Sequence, residues 1–271
     1  MANSDPGQYP MGIGIMSSHH VRVASNHVHD VGGGGIGMVW SNHVRVEANW
    51  VHGTSRWAPN ATSAISFFQS SNDGGGNNPD GFSNYAVGNV VWNNYMEVPG
   101  PDGQFTDGHC VLVDSGRDTN SQGGTYIANN ICVRNGGSGV GVYRSDNVLA
   151  VNNTLVENDR KSTDSAAEMR AQLANNVVFR NNIVRPTAGM AVNGVYQATA
   201  VSFDHNLYVA PAAAYVGAGD IVDANARMGF GIVPDGGGPA INSGNAASAP
   251  AADLMGTGRK GAPDRGALEL G

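Results

Sequence analysis

The sequence predicts an all-β fold: a parallel β-helix, in which short strands stack into a solenoid. Two observations predict it. Apolar and polar residues alternate in short, β-branched runs along most of the chain. One asparagine recurs at the end of those runs, at Asn26, Asn49, Asn89, Asn130, Asn153, Asn182 and Asn206. Successive spacings are 23, 40, 41, 23, 29 and 24 residues, so the unit is 23 or 24 and the long spacings are that unit plus loops. Runs this short cannot each enclose a core, but stacked they share one.

The first strand of each unit is read in GIGIMSS, GIGMVWS, AISFFQSS, HCVLVDS and GVGVYRS. Its alternation places Ile13/Ile15, Ile36/Met38, Val111/Val113 and Val140/Val142 inside. Met16, Val39, Phe68, Asp114, Tyr143 and Gln172 then form one outward column, and Gly14, Gly37, Ser66, Leu112, Gly141 and Arg170 another. The second strand leads up to the asparagine. Five residues before it stand Val21, Val44, Asn84, Thr125, Val148, Val177 and Val201, of which only Asn84 fits an apolar column badly. The third strand follows, with Val28, Val51, Val91, Cys132, Leu155, Val184 and Tyr208 two residues beyond the asparagine.

Several second strands end on Asn-Asn, as in TYIANNICV and RSDNVLAVNNTLVEN, with neither Gly nor Pro to make the turn. Stacking explains the choice. An Asn at the same corner of coils about 4.8 Å apart can pass its side-chain amide from coil to coil and carry the hydrogen-bond ladder through the bend. The ladder Asn is also expected to take the left-handed conformation of a tight corner. About seven coils are expected from residue 5 to about 209. They give a β-helix domain over 1–209 and an Ala-, Gly- and Pro-rich cap or tail over 210–271. Nothing before the first coil reads as a cap. A missing upstream segment or an oligomeric partner is expected to shield that end.

Composition narrows the function. Gly is 39 of 271 residues, yet hydrophobics are 41%, which argues against disorder. The net charge of −7 offers no basic surplus to replace the counterions of a nucleic acid. No apolar run is long enough to span a membrane. Cys110 and Cys132 both lie in apolar strand patterns and read first as buried free thiols, with a disulfide as the other reading. The opening MANSDPGQYP has no apolar segment of the kind a secretory leader needs.

These repeats, together with GPAINSG (238–244) and DLMGTGRKGAPDRGALE (253–269), resemble the right-handed parallel β-helix superfamily of pectate-lyase-like proteins. Bacterial extracellular members finish on a similar S-P-A-I-D-x-G segment and a closing G-x-P-D-x-G-A-x-E. Asn242 replaces the usual Asp of the first, and Arg265 is an ordinary variation in the second. The resemblance implies a single-stranded, right-handed β-helix. It also implies a bacterial secreted, extracellular or periplasmic location, with a leader not present in this chain. The ligand it implies is a polysaccharide. It is weak for reaction, because the fold hosts lyases, hydrolases, transferases and phage adhesins.

Loops interrupt the unit at 53–62, 72–80, 93–107, 117–123 and 158–165. Three of them lead into the next coil's first strand and should rise as walls of a groove beside it. Asp114, Tyr143 and Arg170 fall in neighbouring coils there, flanked by Asp107, His109, Arg144, Lys161 and Glu168. For a lyase, Arg or Lys neutralises a uronate carboxylate and a base removes the C5 proton, roles that suit Lys161, Arg170 and Tyr143. Asp107 and Asp114 are the candidate Ca²⁺ ligands. For a glycoside hydrolase, Asp107, Asp114 and Glu168 supply carboxylates, with His109 nearby. Arg144, Phe68 and Trp57 are the expected substrate contacts. The plainer readings are a turn cap for Asp114, a solvated pair for Glu168 and Arg170, and a solvated loop lysine for Lys161. His109 would bond only to local backbone, and Tyr143 would pack on Phe68. His20 with His43, and His29 with His52 and Trp92, share repeat positions and would stack or hold a metal. GGGG at 32–35 lacks the GK[ST] of a phosphate loop. The expectation is a lyase acting on an acidic glycan, with a hydrolase or a non-catalytic glycan-binding β-helix as alternatives.

Overall fold

A computed structural model describes residues 11–59, 62–163, 167–229 and 231–270. Residues 1–10, which hold the opening segment and the expected start of the first coil, lie outside them, as do the ends of two loops, at 60–61 and 164–166. The described chain is built of parallel strands in three long sheets, as the repeat requires. The first sheet runs Ile13–Met16, Ile36–Val39, Ile65–Phe68, Val111–Asp114, Val140–Tyr143, Ala167–Gln172, Ala191–Tyr196. The second runs His19–Ala24, Asn42–Glu47, Asn84–Val87, Thr125–Ala128, Asp146–Val151, Asn175–Arg180, Thr199–Asp204. The third runs His27–His29, Trp50–His52, Val90–Trp92, Ile131–Val133, Thr154–Val156, Ile183–Arg185, Leu207–Tyr208, Ile221–Val222. In each sheet a strand pairs with its counterpart one repeat away, so the inward residues of all three form one continuous core. Among the described residues no helix is long and apolar enough to cross a membrane.

The asparagine column is a ladder. Each Nδ2–H donates to the next Oδ1 from Asn26 through Asn49, Asn89, Asn130, Asn153 and Asn182 to Asn206, at 2.9–3.0 Å. From Asn49 onward each also donates to a backbone carbonyl of the preceding coil, such as Val23 O and Ala86 O. Asp220 ends the ladder, accepting from Asn206 N–H at 2.6 Å. Asn84, the poor fit, is buried and satisfied: it accepts from Val44 N–H and donates to Asn42 Oδ1.

One expectation is corrected here. The left-handed residue is not the ladder Asn but the one before it: Ser25, Ala48, Asn129, Asn152, Asn181 and His205 have φ between 51° and 58°, and Gly88 has 65°. The two asparagines of each pair therefore have different tasks. The first turns the chain and faces outward, while the second faces in and carries the ladder.

A second ladder lies five residues on. Thr54 Oγ1 donates to Asn94, Asn94 to Asn135 and Asn135 to Asn158, at 2.7–2.8 Å. Asn158 then gives its backbone N–H and Nδ2–H to the two oxygens of Glu168, at 2.6 and 2.8 Å.

Cys110 and Cys132 are not free thiols. They form a disulfide that joins the start of one first-sheet strand to the middle of a third-sheet strand across the core, with Cα atoms 5.8 Å apart. The tail first closes the C-terminal end: Tyr215 stacks on Phe203, and Ile221–Val222 extends the third sheet. It then runs out and back along the outward asparagines. Asn181 Nδ2 donates to Asn245 O, Asn129 Nδ2 to Ala252 O, and Asn152 Nδ2 to Asp264 O, at 2.7–2.9 Å. The side chain of Arg259, 4% exposed, bonds Asn129 Oδ1 and Glu269 and ties the two legs together.

Candidate functional site

Alternation along the first sheet builds the site. Residues at one register position face out together, and the register aligns Met16, Val39, Phe68, Asp114, Tyr143, Gln172 and Tyr196. The neighbouring outward column is Gly14, Gly37, Ser66, Leu112, Gly141, Arg170 and Gly194. Two adjoining cavities follow these columns. One, of about 710 Å³, has a floor of Val39, Ser66 and Phe68 and walls of Pro59, Thr62, Gly100, Pro101 and Asp102. The other, of about 300 Å³, holds Asp107, His109, Tyr143, Arg170 and Gln172. Thr106, Leu112 and Asp114 line both, so they form one groove with Asp114 at its middle. The walls come from the loops 53–62 and 93–107, as their positions in the repeat require.

Gly141 keeps the deeper part open. A Cβ there would stand 3.1 Å from Leu112 Cδ1 and 3.3 Å from His109 Nδ1. Asp114 is half-buried, and its Oδ1 accepts from Ser115 Oγ at 2.7 Å. Burial raises its carboxyl to about 6, opposed by the Ser115 hydrogen bond and helped by the carboxylates of Asp107 and Asp118. Asp107 is buried, with Ser63 Oγ and Thr106 Oγ1 donating to its two oxygens at 3.1 and 3.0 Å. Arg170 is buried too. Its guanidinium bonds Gln172 Oε1 and lies 5.8 Å from the Tyr196 ring centre, so it is no member of a solvated surface pair. Tyr143 does not pack on Phe68, because Asp114 stands between them in the register.

Other predicted residues fall elsewhere. Glu168 is fully buried as the end of the second ladder, so it faces no groove. Burial pushes its carboxyl up to about 8 despite the two hydrogen bonds from Asn158. Lys161 sits behind the 93–107 loop, its ammonium 5.1 Å from the Tyr95 ring centre and 5.8 Å from that of Phe105. Arg144 is the left-handed corner residue after Tyr143 and pairs with Asp118, outside the cavity linings. Trp57 is half exposed and lines neither part of the groove.

His109 lines the groove wall but is tied by both ring nitrogens. Nδ1 accepts from Ser138 N–H at 2.8 Å, so Nε2 carries the proton, and it donates to Thr106 O at 3.2 Å. Its task is to hold Thr106 at the rim. Thr106 itself went unread, although it sits next to Asp107 in a loop marked as a wall. The histidine columns stack as expected, His20 on His43 at 4.5 Å and His52 on Trp92 at 4.3 Å. Among the described residues no group of three or more His, Cys, Asp or Glu is placed to hold a metal. Asp107 and Asp114 alone supply few of the six to eight oxygens Ca²⁺ takes. No family model matches the chain, and no curated protein matches it.

Proposed function

We propose that this chain is a carbohydrate-active β-helix protein that lays a polysaccharide along the first-sheet groove and hydrolyses it, with Asp114 as proton donor and Asp107 as its partner carboxylate. The observation that carries the reading is Asp114, a carboxyl raised to about 6 beside a second carboxylate in the middle of an extended groove. Such a pair is what glycoside hydrolysis needs: one acid that holds its proton up to about pH 6, and a second carboxylate beside it, here held in place by two hydroxyl donors. Phe68 and Tyr143 flank Asp114 by one strand each and offer rings to sugar faces. The resemblance to right-handed, pectate-lyase-like β-helices supports the glycan class and a secreted location. So does the disulfide, since such bonds persist in oxidising compartments.

β-Elimination of a uronan is the second reading, favoured by Arg170 across the groove floor from Tyr143. It ranks below hydrolysis because Lys161 is outside the groove and His109 has no free nitrogen to act as a base.

The test is a screen of neutral and acidic polysaccharides, with Ca²⁺ or chelator, reading new reducing ends and unsaturated products together. We expect reducing ends without ultraviolet absorbance, lost in Asp114→Asn. The rate should fall as pH rises through about 6, where the donor loses its proton. Unsaturated products would transfer the assignment to the lyase reading. Saturable binding with no product would make the protein a glycan binder.

A further inference from the structure

A second pocket lies on the far side of the 93–107 loop from the groove. It holds about 340 Å³ and is lined by Arg56, Asn93, Tyr95, Glu97, Arg160 and Lys161. Three loops meet there, and backbone hydrogen bonds fix them. Glu97 N–H donates to Arg56 O at 2.8 Å, Tyr95 N–H to Thr54 O at 3.3 Å, and Lys161 N–H to Gly136 O at 3.0 Å. The Tyr95 ring gathers two cations, Arg56 at 5.0 Å and Lys161 at 5.1 Å from its centre.

Cations outnumber carboxylates in the lining of this pocket. The chain has 22 acidic and 15 basic residues, and its arginines are mostly paired: Arg117 with Asp146, Arg134 and Arg185 with Glu157, Arg180 with Asp204. In the pocket lining three cations meet one carboxylate, Glu97, which touches Arg56 through a single contact of 3.3 Å, and Asp30 lies near enough to Arg56 to feel its charge. Arg160 and Lys161 are exposed, and no ion pair joins either to a carboxylate among the described residues. The buried Nε–H of Arg56 has no acceptor. Cations held together on a rigid frame with unused donors repel one another until an anion enters.

We propose that this pocket is an oxyanion-binding site, taking the carboxylate, sulfate or phosphate group of an anionic glycan. That the carrier is a glycan rests on the reading of the groove; that the bound group is an oxyanion rests on the pocket alone.

The test is calorimetric titration of the full chain with four probes: a uronate oligosaccharide, a sulfated oligosaccharide, a neutral one of equal length, and inorganic phosphate. Lys161→Glu and Arg160→Glu are the variants, both at exposed positions where the fold is not at risk. We expect one of the acidic oligosaccharides to bind in a salt-sensitive manner and to weaken at least tenfold in each variant, with neutral binding unchanged. Equal affinity in wild type and variants overturns the site. Binding of inorganic phosphate with no acidic oligosaccharide able to displace it overturns the glycan assignment. Asp114→Asn separates the two proposals. If it still cleaves, the groove reading fails, while the loss in Lys161→Glu continues to define the pocket.

Discussion

At the scale of the residue, burial raises two carboxyls to different ends. Asp114 opens on a groove, whereas Glu168 faces only the last rung of a ladder. For Glu168 the folded value of about 8 lies above its ordinary 4.5, so the protonated form is favoured by folding. Its contribution is complete below about 4.5 and is lost as pH rises through about 8. Glu168→Gln keeps an acceptor for Asn158 and removes the titration. Urea unfolding at pH 5, 7 and 9 should show wild-type stability falling with pH, by on the order of 4 kcal/mol in all. The variant should lack that part of the slope, and parallel pH curves would refute the assignment. Asp114, Tyr143 and Arg170 were legible in the sequence because strand alternation alone aims them. Glu168 and Lys161 were not. Each sits by a long loop, and where its side chain lands depends on the path of that loop rather than on the repeat.

At the scale of the element, the ladder makes the corners cooperative. Asn130→Ala would strip acceptors from Asn89 N–H and Nδ2–H and a donor from Ala86 O, all in the buried interior. We expect a loss of about 2–4 kcal/mol in chemical denaturation. Asn26→Ala, at the half-exposed first rung, should cost under about 1 kcal/mol. Equal losses would mean the ladder adds little beyond the strands. The first ladder was readable because Asn holds every one of its positions. The second was visible in principle, since Asn94, Asn135 and Asn158 each follow a ladder Asn by five residues. Val31, Thr54 and Thr187 interrupt that column and hid it. The disulfide was harder to read: its cysteines stand at the first and third strands of one coil, 22 residues apart, and only the closed cross-section brings them together.

At the scale of the whole molecule, the tail is a strap that depends on the outward asparagines. The Asn-Asn pairs at 129–130, 152–153 and 181–182 occur in the coils the tail crosses, and the first Asn of each pair donates to it. Asn152→Gly keeps the left-handed turn but removes the donor to Asp264 O. Limited trypsin digestion should then cut faster after the exposed Lys260, while the strands of the sheets stay protected. An unchanged rate would show that Asn129, Asn181 and Arg259 hold the strap without Asn152. The sequence marked 210–271 as cap or tail from composition. Its path was not legible, because carbonyls take asparagine donors without leaving any pattern in their own residue types.

The ladders also have a direction. Every rung donates toward the later coil, and both series finish on a carboxylate, Asp220 in one and Glu168 in the other. The oxygens of a carboxyl group accept, but the group has no N–H to pass on. A copy of the 23-residue unit 131–153, spliced in by gene duplication, would find an acceptor after it and a donor before it. The same copy placed beyond Asp220 would find no donor. The stack can therefore be lengthened by copying from within, each addition keeping donors and acceptors matched, whereas Asp220 closes it to additions beyond.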